Sequence, residues 1–187
     1  MPVRLLRRCF TVEQYHKMAQ AGILSEDDRV ELLEGEIVEM TPIGSRHAAC
    51  VNRLNRLFSD RAGGQAIVSV QNPIRLSQRS EPQPDLALLK PAPDFYASTY
   101  PRPEDVLLVI EVAETSPDYD RELKIPLYAR AGIPEAWLVD LEAEAIEVYR
   151  RPSAQGYGEV RRAGRNQRIA LESLPELELA VADLLGY

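Results

Sequence analysis

The chain has 187 residues, 45% hydrophobic and 27% charged, which suits a single domain with its own core and excludes a disordered tail. Its longest uninterrupted apolar run, Val106–Ile110, falls far short of the ~20 residues a spanning helix needs. The net charge of −7, from 29 acids against 22 bases, argues against a broadly basic nucleic-acid-binding surface.

Met1–Phe10 carries Arg4, Arg7 and Arg8, but no apolar stretch long enough for a signal peptide follows. A cytoplasmic protein without a membrane segment is expected. Two cysteines, Cys9 and Cys50, are too few for a disulfide framework or a four-thiolate zinc site, and two histidines leave little for a histidine metal cluster. Charge is patchy: four arginines and one aspartate lie in Ser45–Arg61, and six arginines and one glutamate in Arg150–Arg168.

In chain order, Thr11 caps a short helix to about Ala21, stopped by Gly22. Val30–Met40 has two apolar-rich arms around Glu34-Gly35, a hairpin pattern. Ser45 is placed to cap a helix with Val51, Leu54, Leu57 and Phe58 on one face. Arg46, Arg53, Arg56 and Arg61 fall mostly off that face, and Gly63-Gly64 ends the helix. Short apolar runs at Ala66–Val70, Pro73–Leu76 and Asp85–Leu89 read as strands. Pro91–Glu104, with four prolines and three aromatics, reads as an ordered surface loop or a lid. Val106–Ala113 has the continuous apolar character of a strand buried on both faces. A helix from about Asp120 to Ala131 follows, with Pro126 near its start and Gly132 as its stop. Further strands are expected at Ala136–Asp140 and Ala145–Arg150, and a short helix around Val181–Leu185. Together these predict one α+β domain over residues 1–187, with a central mixed sheet flanked by helices.

The chemistry-bearing residues are Pro84-Asp85, Glu111-Val112-Ala113 and Lys124. Asp85 stands at one strand start and Glu111 near the end of the buried strand, where a bare carboxylate is costly unless paired, hydrated or metal-bound. Two carboxylates from neighbouring strand ends can hold Mg²⁺, which keeps several waters. A nearby lysine can stabilise charge developing on a phosphate. On spacing alone, Asp85 and Glu111 are equally readable as turn and surface residues, and Asp120 with Lys124 as an exposed i,i+4 pair. No phosphate-binding glycine fingerprint, GxSxG elbow or HExxH helix is present.

The runs SEPQPDLALL (80–89) and VLLVIEVAETSPDYDRELKIPLYARAGIPEAWLVD (106–140) resemble the Uma-two family of restriction endonuclease-like proteins, as do VELLEGEIVEM and His47 upstream. The resemblance covers roughly residues 12 to 150. That family is similar to the PD-(D/E)XK nuclease superfamily, which implies a restriction endonuclease-like core, here with an N-terminal helix and β-hairpin. It implies a DNA endonuclease using Mg²⁺ or Mn²⁺, with Asp85, Glu111 and the Val112 carbonyl as metal ligands. The superfamily lysine position, two residues after the second acid, is Ala113 here; the resemblance assigns its role to Lys124. Glu31 corresponds to an acid supplied by the N-terminal element, and a solvated acidic hairpin remains the alternative. His47, Gln71, Arg46 and Arg53 are candidate substrate contacts, with helix capping or packing as the other reading of His47. Trp137 and Tyr128 read as core residues and Cys50 as structural. A catalytically silent nucleic-acid-binding or regulatory module, or a protein-interaction domain, is the rival function, and the oligomeric state, homodimer included, stays open.

Overall fold

The computed structural model describes residues 7–25, 27–115 and 117–186. Arg4, noted in the basic N-terminal stretch, lies outside them. No described helix is long and apolar enough to cross a membrane.

The chain opens with α1 (Val12–Gln20), capped as expected by the Thr11 side chain in a reciprocal pair with Gln14. The hairpin forms from β1 (Val30–Leu33) and β2 (Glu36–Glu39). Its turn residues Glu34 and Gly35 have φ of +50° and +88°, which is why a glycine stands there. A Cβ on Gly35 would also meet the Cys9 side chain at 2.5 Å. The Glu81 amide donates to the Leu32 carbonyl (2.7 Å) and docks β1 on the segment leading to Asp85.

Helix α2 (Ser45–Arg61) buries Cys50, Val51, Leu54 and Phe58. Ser45 is its first residue rather than its cap; Gly44 holds the cap position without a side-chain bond. Six strands then form one sheet in the order β3-β4-β5-β6-β7-β8. They are β3 (Ile67–Val70), β4 (Leu86–Leu89), β5 (Val106–Ala113), β6 (Glu135–Asp140), β7 (Ala145–Ser153) and β8 (Gly156–Gly164). Only β5 and β6 are parallel, so their connection must cross over one face. The sheet is mixed and flanked by helices, as composition and pattern predict.

That crossover contains the expected helix, but not as a uniform one. It comprises α3 (Pro117–Tyr119), a π-turn over Asp120–Lys124 and α4 (Ile125–Ala131). The π-turn is closed by the Ile125 amide on the Asp120 carbonyl. Pro126 sits in the first turn of α4, and Gly132, at φ +83°, terminates it. Alternation in β5 sends Leu108, Ile110 and Val112 into a core beneath α2, and Val109 and Ala113 into a second core beneath α4. Glu111 lies between Ile110 and Val112, so it faces α4.

Two further expectations need correction. Pro73–Leu76 is not a strand: proline has no amide to donate, and the Ile74 and Leu76 amides bond the Pro82 and Ser80 carbonyls within an irregular loop. Pro91–Glu104 is an ordered loop, but none of its residues lines the cavity described below, so it is no lid. The arginine-rich C-terminal third builds the β7–β8 hairpin and a small pair, β9 (Arg168–Ala170) and β10 (Glu178–Ala180), before α5 (Val181–Leu185). Strands β8 to β10 escape sequence reading because a solvated edge such as GYGEVRRAG buries only Ala163, too little to make a pattern.

Candidate active site

Five elements converge on one cavity of about 390 Å³ at the end of β5. Leu86 pairs with Ile110 across the antiparallel β4–β5 ladder, so Asp85, one residue before β4, stands opposite Glu111. The π-turn lays Asp120 and Lys124 over that end of the sheet, α2 brings His47 and the hairpin brings Glu31; all six residues line the cavity.

Asp85 is held on both oxygens. His47 Nε2 donates to Oδ1 at 2.8 Å and Gln71 Nε2 to the same atom at 3.2 Å, while the Val112 amide donates to Oδ2 at 2.9 Å. Burial alone would raise its pKa, but the bond and charge of His47, then the Val112 amide, hold it below the usual carboxylate range. His47 is raised in turn, chiefly by its bond to Asp85. Gln71 lies just past β3 at φ +52° and also donates its amide to the Asp85 carbonyl (3.2 Å). A non-glycine residue in that region stores strain, which is common at functional sites.

Glu111 is 3% exposed. Its Oε1 takes Lys124 Nζ at 2.7 Å and the Tyr128 hydroxyl at 2.5 Å. Burial pushes its pKa well up; Lys124 opposes this, while Asp120, Asp85 and Glu31 add to it. Lys124 is equally buried, and Glu31 Oε2 lies 3.4 Å from its ammonium. Burial would discharge this lysine, but Glu111, Glu31 and Asp120 together raise its pKa, so it stays charged. The exposed-pair reading of Lys124 therefore fails, as does the solvated-hairpin reading of Glu31. Glu31 is 2% exposed and also accepts the Gln83 amide at 3.0 Å.

The family model described as "Uma2: Putative restriction endonuclease" matches residues 12–182. The chain belongs to the Uma2 family. Among solved structures, a putative nuclease belonging to DUF820 from Anabaena variabilis superposes with a TM-score of 0.75. It shares 18% sequence identity, over 94% of this chain and 97% of that one. At that identity the likeness speaks for the fold, which agrees with the restriction endonuclease-like core expected above. No curated protein matches the chain significantly. Family and fold together support a nuclease function.

Within this Uma2 family chain, not every candidate residue reaches the cavity. Arg46 and Arg53 line a separate small cavity near α5, where their guanidinium groups donate to the Leu141 (3.2 Å) and Leu185 (2.7 Å) carbonyls. Trp137 is core, its ring tilted against that of Phe58 with centroids 6.0 Å apart. Cys50 is on the buried face of α2, and burial pushes its thiol up to about 12, which makes it inert. Two contributors were not legible. Tyr128 has a core ring but spends its hydroxyl on Glu111. Asp120 enters the cavity only because of the π-turn; burial foremost raises its pKa to about 6, against the pull of Lys124.

Proposed function

We propose that this protein is a divalent-metal-dependent DNA endonuclease. The observation that carries this reading is the charge of the cavity. Glu31, Asp85, Glu111, Glu114 and Asp120 line it, against Arg29 and Lys124 as fixed cations. A phosphodiester approaching such a surface is repelled unless a cation enters first.

The donor chemistry fits Mg²⁺ or Mn²⁺: hard carboxylate oxygens on adjacent strand ends, with the Val112 carbonyl beside them. Among the described residues no group of three or more His, Cys, Asp or Glu side chains is gathered to hold a metal. Asp85 and Glu111 would therefore hold the ion with water completing its shell, as Mg²⁺ prefers. Bound there, the ion would supply Lewis-acid polarisation of the scissile phosphate.

The chain's own residues do the rest. His47 and Gln71 fix the rotamer of Asp85, and Tyr128 fixes that of Glu111. Lys124, pinned by Glu31 and Glu111, offers a positive charge to the phosphate as negative charge grows on it. Arg29 is the cavity residue suited to a flanking phosphate.

The deciding experiment is cleavage of supercoiled plasmid and of single-stranded DNA with Mg²⁺ or Mn²⁺, by wild type and by Asp85→Asn. Metal-dependent nicking that the substitution abolishes is expected. If neither substrate is cut with either ion, the silent nucleic-acid-binding module replaces this reading.

A further inference from the structure

On uniform α-helical spacing Asp120 would not share a face with Tyr128. Eight residues advance about 80° beyond two full turns, whereas seven return close to the starting face. A π-turn inserts one extra residue into the winding. The separation of Asp120 and Tyr128 then behaves as the seven-residue repeat. Asp120, Lys124 and Tyr128 form one stripe facing the end of β5, and the first two line the cavity.

Three of the other acids in that cavity are already engaged. Asp85 accepts from His47, Gln71 and the Val112 amide, Glu111 from Lys124 and Tyr128, and Glu31 from the Gln83 amide. Glu114 has one carboxylate oxygen 2.3 Å from where a Cβ on Gly44 would stand, which puts it against the start of α2. Asp120 alone combines a place within the cavity, beside Lys124, with a carboxylate that accepts no hydrogen bond among the described residues. A half-buried carboxylate with open lone pairs, one turn from a fixed ammonium, is a seat for water.

We propose that Asp120 is a further catalytic carboxylate, the group that holds the attacking water and takes its proton. This rests on the nuclease reading above. In the step, the water oxygen forms a bond to phosphorus while the bond from phosphorus to the leaving nucleotide oxygen breaks. The water's proton passes to the Asp120 carboxylate. The leaving oxygen keeps the bonding pair and is protonated from solvent. Lys124, one turn along, faces the charge that builds on the phosphate during the same displacement.

The test compares wild type, Asp120→Asn, Asp120→Glu and Glu122→Gln, the last an exposed residue of the same π-turn. Single-turnover plasmid cleavage is measured with Mg²⁺, DNA affinity with Ca²⁺ as a non-catalytic ion, and the thermal midpoint for each protein. Loss of a proton acceptor predicts a cleavage rate about 100-fold lower or worse for Asp120→Asn. Its Ca²⁺-dependent DNA affinity should stay within about threefold of wild type, and its midpoint should be no lower. Asp120→Glu should recover part of the rate, and Glu122→Gln should match wild type. A rate for Asp120→Asn within about threefold of wild type, or a loss matched by equal loss of DNA affinity, overturns the proposal. Should Asp120→Asn fail to fold, a rate for Asp120→Glu no different from wild type overturns it instead. If wild type cuts no DNA with Mg²⁺ or Mn²⁺, it is the nuclease reading that has failed, and this role falls with it.

Discussion

Two glutamates on neighbouring parallel strands are both withdrawn from water, yet their surroundings differ in kind. Glu135 at the start of β6 is 0% exposed, and both its oxygens are used. Oε1 accepts from Trp137 Nε1 (2.7 Å) and from Arg150 Nη2 (2.9 Å) and Nε (3.2 Å), and Oε2 from the Glu172 amide (2.7 Å). Glu111 on β5 is crowded by Glu31, Asp85 and Asp120, and among the described residues only its Oε1 has bonded partners. The first glutamate accepts hydrogen bonds on both oxygens and ties β6, β7 and the C-terminal segment together. The second keeps an oxygen toward a cavity and is surrounded by like charge. Burial is common to both; saturation separates a structural carboxylate from one arranged for chemistry.

The sharpest way to break this comparison is to neutralise each in turn. Glu135→Ala leaves Arg150, the Trp137 amine and the Glu172 amide without their shared acceptor, and should cost about 3–5 kcal/mol. The protein that remains folded should keep its cleavage activity. Glu111→Gln removes one charge from a repelling group and keeps an acceptor for Lys124. It should leave urea stability within about 1 kcal/mol of wild type while abolishing cleavage. Equal destabilisation by the two substitutions, measured by urea unfolding, would erase the distinction. Lys124→Met belongs with the first class in stability and the second in activity. It strands Glu111 and Glu31 together, so a loss of about 3 kcal/mol or more should accompany loss of cleavage.

A smaller effect separates the two networks through their aromatic donors. Tyr128→Phe and Trp137→Phe each delete a donor to a buried glutamate, and each should cost on the order of 1–3 kcal/mol. Only Tyr128→Phe should weaken Mn²⁺ binding followed by calorimetry, because only Glu111 is placed to be a ligand. A similar fall in ion affinity for both would make the Tyr128 effect a matter of general packing.

The same contrast explains what could be read from the sequence. Asp85 and Glu111 were noticed because an acid beside or within an apolar strand breaks the pattern that β-sheet burial imposes, but spacing also read them as turn and surface residues, and their metal-binding role came from the family resemblance. Lys124 and Glu31 were legible by family resemblance alone, since spacing read the first as half of an exposed i,i+4 pair with Asp120 and the second as part of a solvated acidic hairpin. Asp120 was hidden by a π-turn, which hydrogen-bond geometry reveals and α-helical spacing conceals. Tyr128 was hidden by being half right: its ring does pack in the core. Glu135 was never singled out, because its donors come from residues 2, 15 and 37 positions away. The six-stranded sheet was anticipated through β7, where apolar strands carry the signal, and lost at β8, where a solvated edge does not.

The smallest expected effect concerns protons. In the metal-free protein His47, Asp120 and Glu111 all have pKa values raised above their unfolded ones. For each, the folded state binds more protons than the unfolded state in the window between the two values. Stability therefore falls as pH rises through that window and is recovered on acidification. For Asp120 the window runs from its ordinary value near 3.8 to about 6. For His47 it opens at 6.5 and extends upward. Asp85 acts in the opposite sense, since its pKa is depressed: its stabilisation is present above 3.8 and fades as pH falls below that. The apo protein should accordingly melt highest at acid pH, near 4, and lower at pH 7.5. With about 2–4 °C per kcal/mol expected for a chain of this size, the difference should be several degrees. Asp120→Asn should flatten the profile between pH 4 and 6, and a saturating divalent ion should flatten it near neutrality by replacing the protons. A thermal profile that Asp120→Asn and the ion both leave unchanged would place the proton-sensitive charges outside the cavity. A profile flattened by each of them ties those charges to the group of acids at the end of β5.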